Sequence, residues 1–205
     1  DWSFGGKASA RSFQPSDQPV DFLEEDFTNL ALVLQNTFIS SSAEETLNEE
    51  FKRFFDRFQR FTVSIFGNQV LLNMHEEGLA EPIPATRWSD GMIRYLCLLA
   101  ILCHPSPPPL ICIDEPDLGL HPDIMADLSR LIKSASEKTQ IIITTHSKAL
   151  VDWFSDDPSA VVVCERGFDG ETQMKRLDAK RLDAWLEDYS LGELWEKGEI
   201  GGNRY

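Results

Sequence analysis

Three short apolar runs, spaced by helix-length segments, constrain this chain more than any other feature. Leu110–Ile113 ends in Asp114-Glu115-Pro116, Gln140–Thr145 ends in His146-Ser147, and Ala160–Cys164 forms the third. Between the first two, Ile124, Leu128, Leu131, Ile132 and Ala135 recur at helical spacing, with Pro122 near the first turn. The order strand, helix, strand, helix, strand at these lengths predicts an α/β fold with a parallel sheet flanked by helices. A right-handed crossover makes the first two strands neighbours or next-neighbours.

The 205 residues, 42% of them apolar, suffice for one ordinary domain or two small ones, and no run is long and apolar enough to span a membrane. Residues Asp1 to Gly6 carry neither a basic leader nor an apolar segment and do not read as a secretory signal. With 19 basic and 34 acidic residues the formal charge is −15, the wrong sign for a surface whose main task is to grip a phosphate backbone. Cys97, Cys103, Cys112 and Cys164 sit in apolar runs without C-x-x-C pairing. They read as buried reduced thiols in a cytoplasmic setting, where there is no membrane partner.

Upstream, residues 1–20 read as an irregular arm rich in Ser, Gly, Pro and Gln, and residues 21–105 as a helical lobe with a hairpin. Phe27, Leu30, Leu34 and Phe38 predict one helix; Leu47, Phe51, Phe54, Phe55 and Phe58 share a face of the next, for which Ser42-Ala43-Glu44-Glu45 has the form of a capping box. So many phenylalanines at helical spacing are core rather than a ligand pocket. Phe61–Phe66 and Gln69–Met74 flank Gly67-Asn68, which predicts a β-hairpin. Met92–Cys103 is apolar almost all round, a buried helix that His104-Pro105-Ser106-Pro107-Pro108-Pro109 ends. Residues 106–205 form the α/β core and tail, with a last helix around Leu177–Tyr189.

In a parallel sheet, ligands bind at the carboxyl ends of the strands. Asp114 and Glu115 follow the first strand there, and Thr144, Thr145 and His146 end the second. A carboxylate at a strand terminus can hold Mg²⁺, a hard ion that wants oxygen ligands. A second one can accept a proton from an attacking water, and a histidine can donate to a terminal phosphate oxygen. An isolated acidic pair is more often a solvated strand end; the joint occurrence at successive strand ends points to a site. Ser89-Asp90-Gly91 opens the buried helix, where free N–H groups and the positive end of the dipole suit an anion, although Ser alone is simply a good N-cap.

Trp88-Ser89-Asp90-Gly91, Leu110 to Pro116, Leu118-Gly119-Leu120-His121-Pro122 and Ile143-Thr144-Thr145-His146-Ser147 occur in one order. They resemble the signature motif, Walker B strand, D-loop and switch histidine of ABC-type ATPases, a P-loop NTPase fold. The Gly-Leu-His-Pro form is similar to the RecF/SMC-like branch, including the overcoming-lysogenization-defect ATPases. The tail Leu191-Gly192-Glu193-Leu194-Trp195 with Gly201-Gly202-Asn203-Arg204 resembles the end of one group of predicted ATPases. The resemblance implies ATP and Mg²⁺ as cofactors, Asp114 for Mg²⁺, Glu115 as the catalytic carboxylate and His146 as the γ-phosphate sensor. It implies that Ser89 and Gly91, with Asp90 between them, meet ATP held by a second subunit. Leu118, Gly119, Leu120 and His121 then line the interface of a homodimer formed through the ATPase heads. Trp88 stands where the signature more often has Leu, at a position that faces the lobe's core.

One departure from the family is serious. No G-x-x-x-x-G-K-[ST] occurs in the sequence, and Gly5-Gly6-Lys7-Ala8 lacks the first Gly, the hydroxyl after Lys and a following apolar helix. The expectation is therefore the C-terminal half of an ATPase, with Walker A in a missing N-terminal half. DNA-linked maintenance or phage defence, with DNA or an effector protein as further partner, suits the resemblance. Two alternatives belong to other classes: a non-catalytic interaction module retaining the fold, and a metal-dependent hydrolase using His121, Asp123, Asp114 and His146.

Overall fold

The computed structural model describes residues 10–39, 41–167 and 169–202. The terminal expectations on residues 1–6, Gly5-Gly6-Lys7-Ala8 and Asn203-Arg204 lie outside these. The chain divides into two compact units, Asp1–Ile111 with Ser134–Ile141, and Cys112–Lys133 with Ile142–Tyr205.

In the first unit, β1 (Gln14–Pro15) pairs antiparallel with β3 (Gln69–Glu76), which also pairs with β2 (Phe58–Phe66) and β4 (Ile83–Pro84). The predicted hairpin is present: Phe66 faces Gln69 across the Gly67-Asn68 turn, where Gly67 has φ +60°. Residues 10–20 are not an irregular arm throughout. Besides the β1 pairing, the buried Gln14 side chain accepts from Ala31 N–H at 2.8 Å, and the buried Asn29 amide donates to Pro19 O and Phe22 O. Two buried amides with satisfied donors and acceptors tie the segment down, which composition alone does not reveal.

The first predicted helix is α1 (Leu30–Val33), which widens into a π-helical turn over Leu34–Phe38. α2 (Glu44–Phe54) starts without the expected capping box; Ser41 Oγ instead accepts from Ala43 N–H at 3.1 Å, and Glu44 and Glu45 face the positive helix end. α2 also ends earlier than its phenylalanine spacing suggests, so Phe58 belongs to β2. The rings still form one core: Phe51, Phe58 and Phe61 lie 4.5–4.9 Å apart, and Phe54 stacks on Tyr95 at 4.7 Å. Tyr95 is on α3 (Asp90–Leu102), the buried helix, whose residues Ile93 to Ala100 are all inside.

β5 (Leu110–Asp114) and β6 (Gln140–Thr144) form a two-stranded sheet. They run in the same direction: Gln140 N–H donates to Pro109 O at one end and Glu115 N–H to Thr144 O at the other. The crossover is a 3₁₀ turn at Pro122–Ile124 leading into α4 (Met125–Ser136); Ile124 of the turn and Leu128, Leu131, Ile132 and Ala135 of the helix are buried as the spacing predicts.

Along β5, burial alternates, with Ile111 and Ile113 inside and Leu110, Cys112 and Asp114 outside. Cys112 and Cys164 are therefore exposed rather than buried, Cys97 alone is fully buried, and all four thiols are free. Burial pushes the Cys97 thiol pKa up.

The third apolar run does not extend the parallel sheet. After α5 (Lys148–Asp152), β7 (Val162–Arg166) pairs antiparallel with β8 (Thr172–Arg176) across a turn closed by Gly170 N–H to Gly167 O at 2.9 Å. The predicted last helix is α6 (Ala179–Leu186), capped by Asp178, and a further helix, α7 (Leu191–Glu196), follows where the tail motif lies. Leu177, Leu191, Leu194 and Ile200 form the buried centre of this part, with Val151, Phe154 and Trp195 against them.

Candidate functional site

The parallel pairing of β5 and β6 brings their carboxyl ends side by side, and with them the two acids and the histidine. Asp114 is the last residue of β5, and its Oδ1 accepts from the Thr144 hydroxyl at the end of β6. Glu115 follows with φ +46°, a left-handed conformation that costs a non-glycine residue on the order of 1 kcal/mol. The turn imposes it, and the Glu115 N–H is held on Thr144 O at 3.0 Å. His146 Nε2 lies 3.6 Å from Glu115 Oε1, close enough for electrostatic contact but not a hydrogen bond. The imidazole is 80% exposed and the Glu115 side chain 35%, so both are accessible to a ligand.

The loop after β5 makes two successive turns, with Leu118 N–H on Glu115 O and Leu120 N–H on Asp117 O, each at 3.1 Å. Gly119 takes φ +75° between them, a conformation that favours glycine. Leu118 is 51% exposed, and Gly119 and His121 are also at the surface. His121 Nδ1 accepts from Asp123 N–H at 3.3 Å and caps the 3₁₀ turn. Among the described residues no three His, Cys, Asp or Glu side chains gather as a metal site, which leaves the hydrolase alternative without a ligand set. Magnesium in phosphoryl-transfer sites needs less, one or two carboxylates completed by phosphate oxygens and water. Asp114 at its strand end fits that requirement. The Thr144 hydroxyl orients it without saturating it, since a carboxylate offers about four acceptor sites.

Ser89, Asp90 and Gly91 belong to the first unit, whereas Asp114, Glu115, residues 118–121 and His146 belong to the second. Ser89 is the N-cap of α3, its Oγ accepting from Met92 N–H at 3.2 Å; Ser89 and Asp90 are exposed. Trp88 is 3% exposed, donates to Ile83 O at 3.0 Å and packs on Phe61, which places it in the lobe's core. Sequence reasoning missed Arg11, whose guanidinium pairs with the Asp90 carboxylate. It placed Thr145 at the strand end but missed its partner Asp117; the two side chains meet between the two loops. A hydroxyl beside His146 and an acid two residues after Glu115 were the available signals. Arg94, in the first turns of α3, has its pKa lowered by burial, against the opposing pull of Asp90.

The tail motif has a structural reading. Gly192 N–H donates to Asp152 Oδ1 at 2.7 Å, and a Cβ at that glycine would meet Asp152 Oδ1 and Lys148 Cγ at 2.4 Å. Only glycine allows α7 to approach α5 so closely.

Neighbouring parallel strands ending in an acidic pair and a histidine, together with the overall architecture, define the class: a P-loop NTPase fold of the ABC/SMC head kind. The chain belongs to the AAA_21 family, described as "AAA domain, putative AbiEii toxin, Type IV TA system", which matches residues 2–152. Its fold is similar to that of SMC ATPases studied for ATP-driven dimerization and DNA-stimulated activation, with TM-score 0.53 and 16% identity, over 72% of this chain and 90% of that one. It is also similar to the Smc head domain of Pyrococcus furiosus bound to the C-terminal domain of ScpA, with TM-score 0.55 and 16% identity, over 72% of this chain and 37% of that one. ABC transporter A family member 4 of Arabidopsis thaliana is 36% identical over 85 residues, which are 42% of this chain and 9% of the transporter. The phosphate import ATP-binding protein PstB of Malacoplasma penetrans (strain HF-2) is 39% identical over 74 residues, 36% of this chain and 25% of that protein. The chain thus spans only a small part of the length of these relatives. Among the described residues, no helix is long and apolar enough to cross a membrane.

Proposed function

We propose that this chain supplies the Walker B, D-loop, switch-histidine and signature elements of an ABC/RecF-like ATPase that works as a cytoplasmic homodimer of heads. The convergence of Asp114, Glu115 and His146 at the ends of two neighbouring parallel strands carries the reading. Glu115 accepts the proton of the attacking water, and His146 donates to the γ-phosphate as charge accumulates there. Asp114 would hold Mg²⁺, which would neutralise phosphate charge when bound. The exposed Ser89 and Asp90, with the half-buried Gly91, at the start of α3 serve ATP bound by the other subunit, and Leu118 to His121 face that subunit. The reading requires a phosphate loop from outside these 205 residues.

The Gly-Leu-His-Pro form after the acidic pair supports a place in the RecF/SMC-like branch, near the overcoming-lysogenization-defect ATPases. Work on DNA maintenance or phage defence suits that branch. The charge of −15 favours DNA contact through other parts of the assembly or through an effector protein.

The test uses the chain together with a segment that supplies the phosphate loop. Glu115→Gln retains Mg-ATP binding and slows turnover by about 10²–10⁴-fold, since the amide keeps the shape but loses the proton acceptor. Ser89→Arg retains ATP binding by each monomer and abolishes ATP-dependent dimerisation. In a mixture of the two variants, a mixed dimer has one site with both lesions and one with neither. Turnover above either parent is therefore expected. Unchanged turnover in Glu115→Gln means that Glu115 is not the catalytic carboxylate and the assignment falls, and a mixture without rescue reduces Ser89 to a helix cap.

A further inference from the structure

We propose that Asp117 and Thr145 are positioning residues that hold Glu115 and His146 facing one another. The proposal rests on the reading of those two groups given above, but its geometry stands on its own. His146 is 80% exposed, so little packing fixes its ring, and its 3.6 Å separation from Glu115 is too long for a hydrogen bond to do so. The pair stays together because the two loops that carry it are joined.

The joint is a short chain of polar groups. The Thr145 hydroxyl gives its one proton to Asp117 Oδ1, and its oxygen then accepts Ser147 N–H at 2.9 Å. Ser147 in turn caps α5, its Oγ accepting from Leu150 N–H at 3.3 Å. His146 therefore sits between two tied residues. On the other loop, Asp117 lies two residues beyond Glu115, and its carbonyl closes the turn that Leu120 N–H completes. The second joint, Thr144 to Asp114 and to the Glu115 N–H, holds the strand ends and the Glu115 backbone but not the loop that carries His146. Without the Thr145 hydroxyl, the left-handed Glu115 keeps its backbone tie to Thr144, while the loop with the exposed imidazole loses its tie to the loop after Glu115.

The experiment is NMR on the 205-residue chain without nucleotide, so its outcome does not depend on turnover. The readouts are the nuclear Overhauser contact between the His146 ring and the Glu115 side chain, and the exchange rate of the Ser147 amide. Thr145→Val keeps the side-chain shape and removes the hydroxyl. It is expected to lose the contact and to speed Ser147 exchange roughly tenfold, the factor set by one ordinary hydrogen bond. Thr145→Ser restores both. Should Thr145→Val fail to fold, Asp117→Ala answers the same question by removing the acceptor and leaving Thr145 in place. A wild-type Overhauser contact in Thr145→Val overturns the proposal, as does a Thr145→Ser variant that behaves like Val, since methyl packing and not the hydroxyl would then be responsible. With the phosphate loop supplied, Thr145→Val lowers kcat more than it changes KM for ATP. A lost contact in Thr145→Val alongside unimpaired turnover in Glu115→Gln removes Glu115 as the catalytic carboxylate and leaves the positioning role intact.

Discussion

The two units of this chain are held together by different physics. In the first, large rings carry the core: Phe51, Phe58 and Phe61 touch in a triangle that neighbours Trp88 and Tyr95. In the second, smaller side chains such as Ile124, Leu128, Leu131, Leu191 and Leu194 are buried, and polar chains join its loops and helix ends. Asp152 accepts from Gly192 N–H, the Ser155 hydroxyl from Leu191 N–H, and Thr144 and Thr145 reach Asp114 and Asp117. Ring packing is non-directional and tolerates small shifts, whereas hydrogen-bonded joints fix direction and are lost singly. A scaffold suits the first kind, and a site whose two loops must keep register suits the second.

The sharpest way to break the comparison is a large-to-small change in the ring cluster. Phe51 is fully buried against four other rings, so Phe51→Ala is expected to cost about 3–5 kcal/mol. Hydrogen exchange read by mass spectrometry should show lost protection in peptides from α2, β2 and α3. Equal loss in peptides from α7 would mean that the two units unfold as one and that the distinction has no energetic content.

What the sequence made legible follows the same division. The hairpin, the buried α3 and the strand–helix–strand succession were readable because apolar period and turn residues announce them. The candidate site was readable from its strand ends, Asp114-Glu115 and Thr145-His146, since the right-handed crossover makes such strands neighbours. The joints were not. Nothing local to Gln14 or Asn29 says that its amide closes on backbone groups far along the chain, and nothing local to Thr145 names Asp117. β7 misled for a related reason: its apolar run matched a parallel strand, while its true partner, Thr172–Arg176, is wholly exposed and has Met174 as its one apolar residue, so it gives no apolar run. The capping box was expected at Ser42, where Ser41 takes the turn; a box forms instead at Ser190 with Glu193, on a helix beyond the last one the spacing predicted.

That box offers a smaller test of the polar mode. Ser190 Oγ accepts from Glu193 N–H at 3.3 Å, and Ser190 N–H donates to Glu193 Oε2 at 2.8 Å. Ser190→Ala should cost about 1 kcal/mol, with lost exchange protection confined to α7 and the residues packed on it. A loss spread evenly over the second unit would show that its joints are cooperative rather than separate.

The smallest effect expected is electrostatic, and it separates the units by pH. The Lys133 ammonium donates to Asp156 at 2.7 Å and holds that carboxyl below its usual range. Hydrogen bonds from Ser190, the backbone one first, hold the Glu193 carboxyl down likewise, while the hydrogen bond with Glu196 holds the Lys148 ammonium above its usual range. A depressed carboxyl stabilises the fold above its unfolded pKa, and that contribution is lost as pH falls through the folded value. A raised ammonium stabilises below its unfolded pKa, and that contribution is lost as pH rises through the folded value. Exchange protection in the second unit, corrected for intrinsic rates, should therefore weaken through the acidic carboxylate range and again at strongly alkaline pH. These groups are solvent-screened, so the Asp156 share is at most about 1 kcal/mol. Asp156→Asn should flatten part of the acid limb and leave the Phe51 cluster's protection unchanged. An acid limb of the same depth in Asp156→Asn would move the origin of the pH response away from the Lys133 contact.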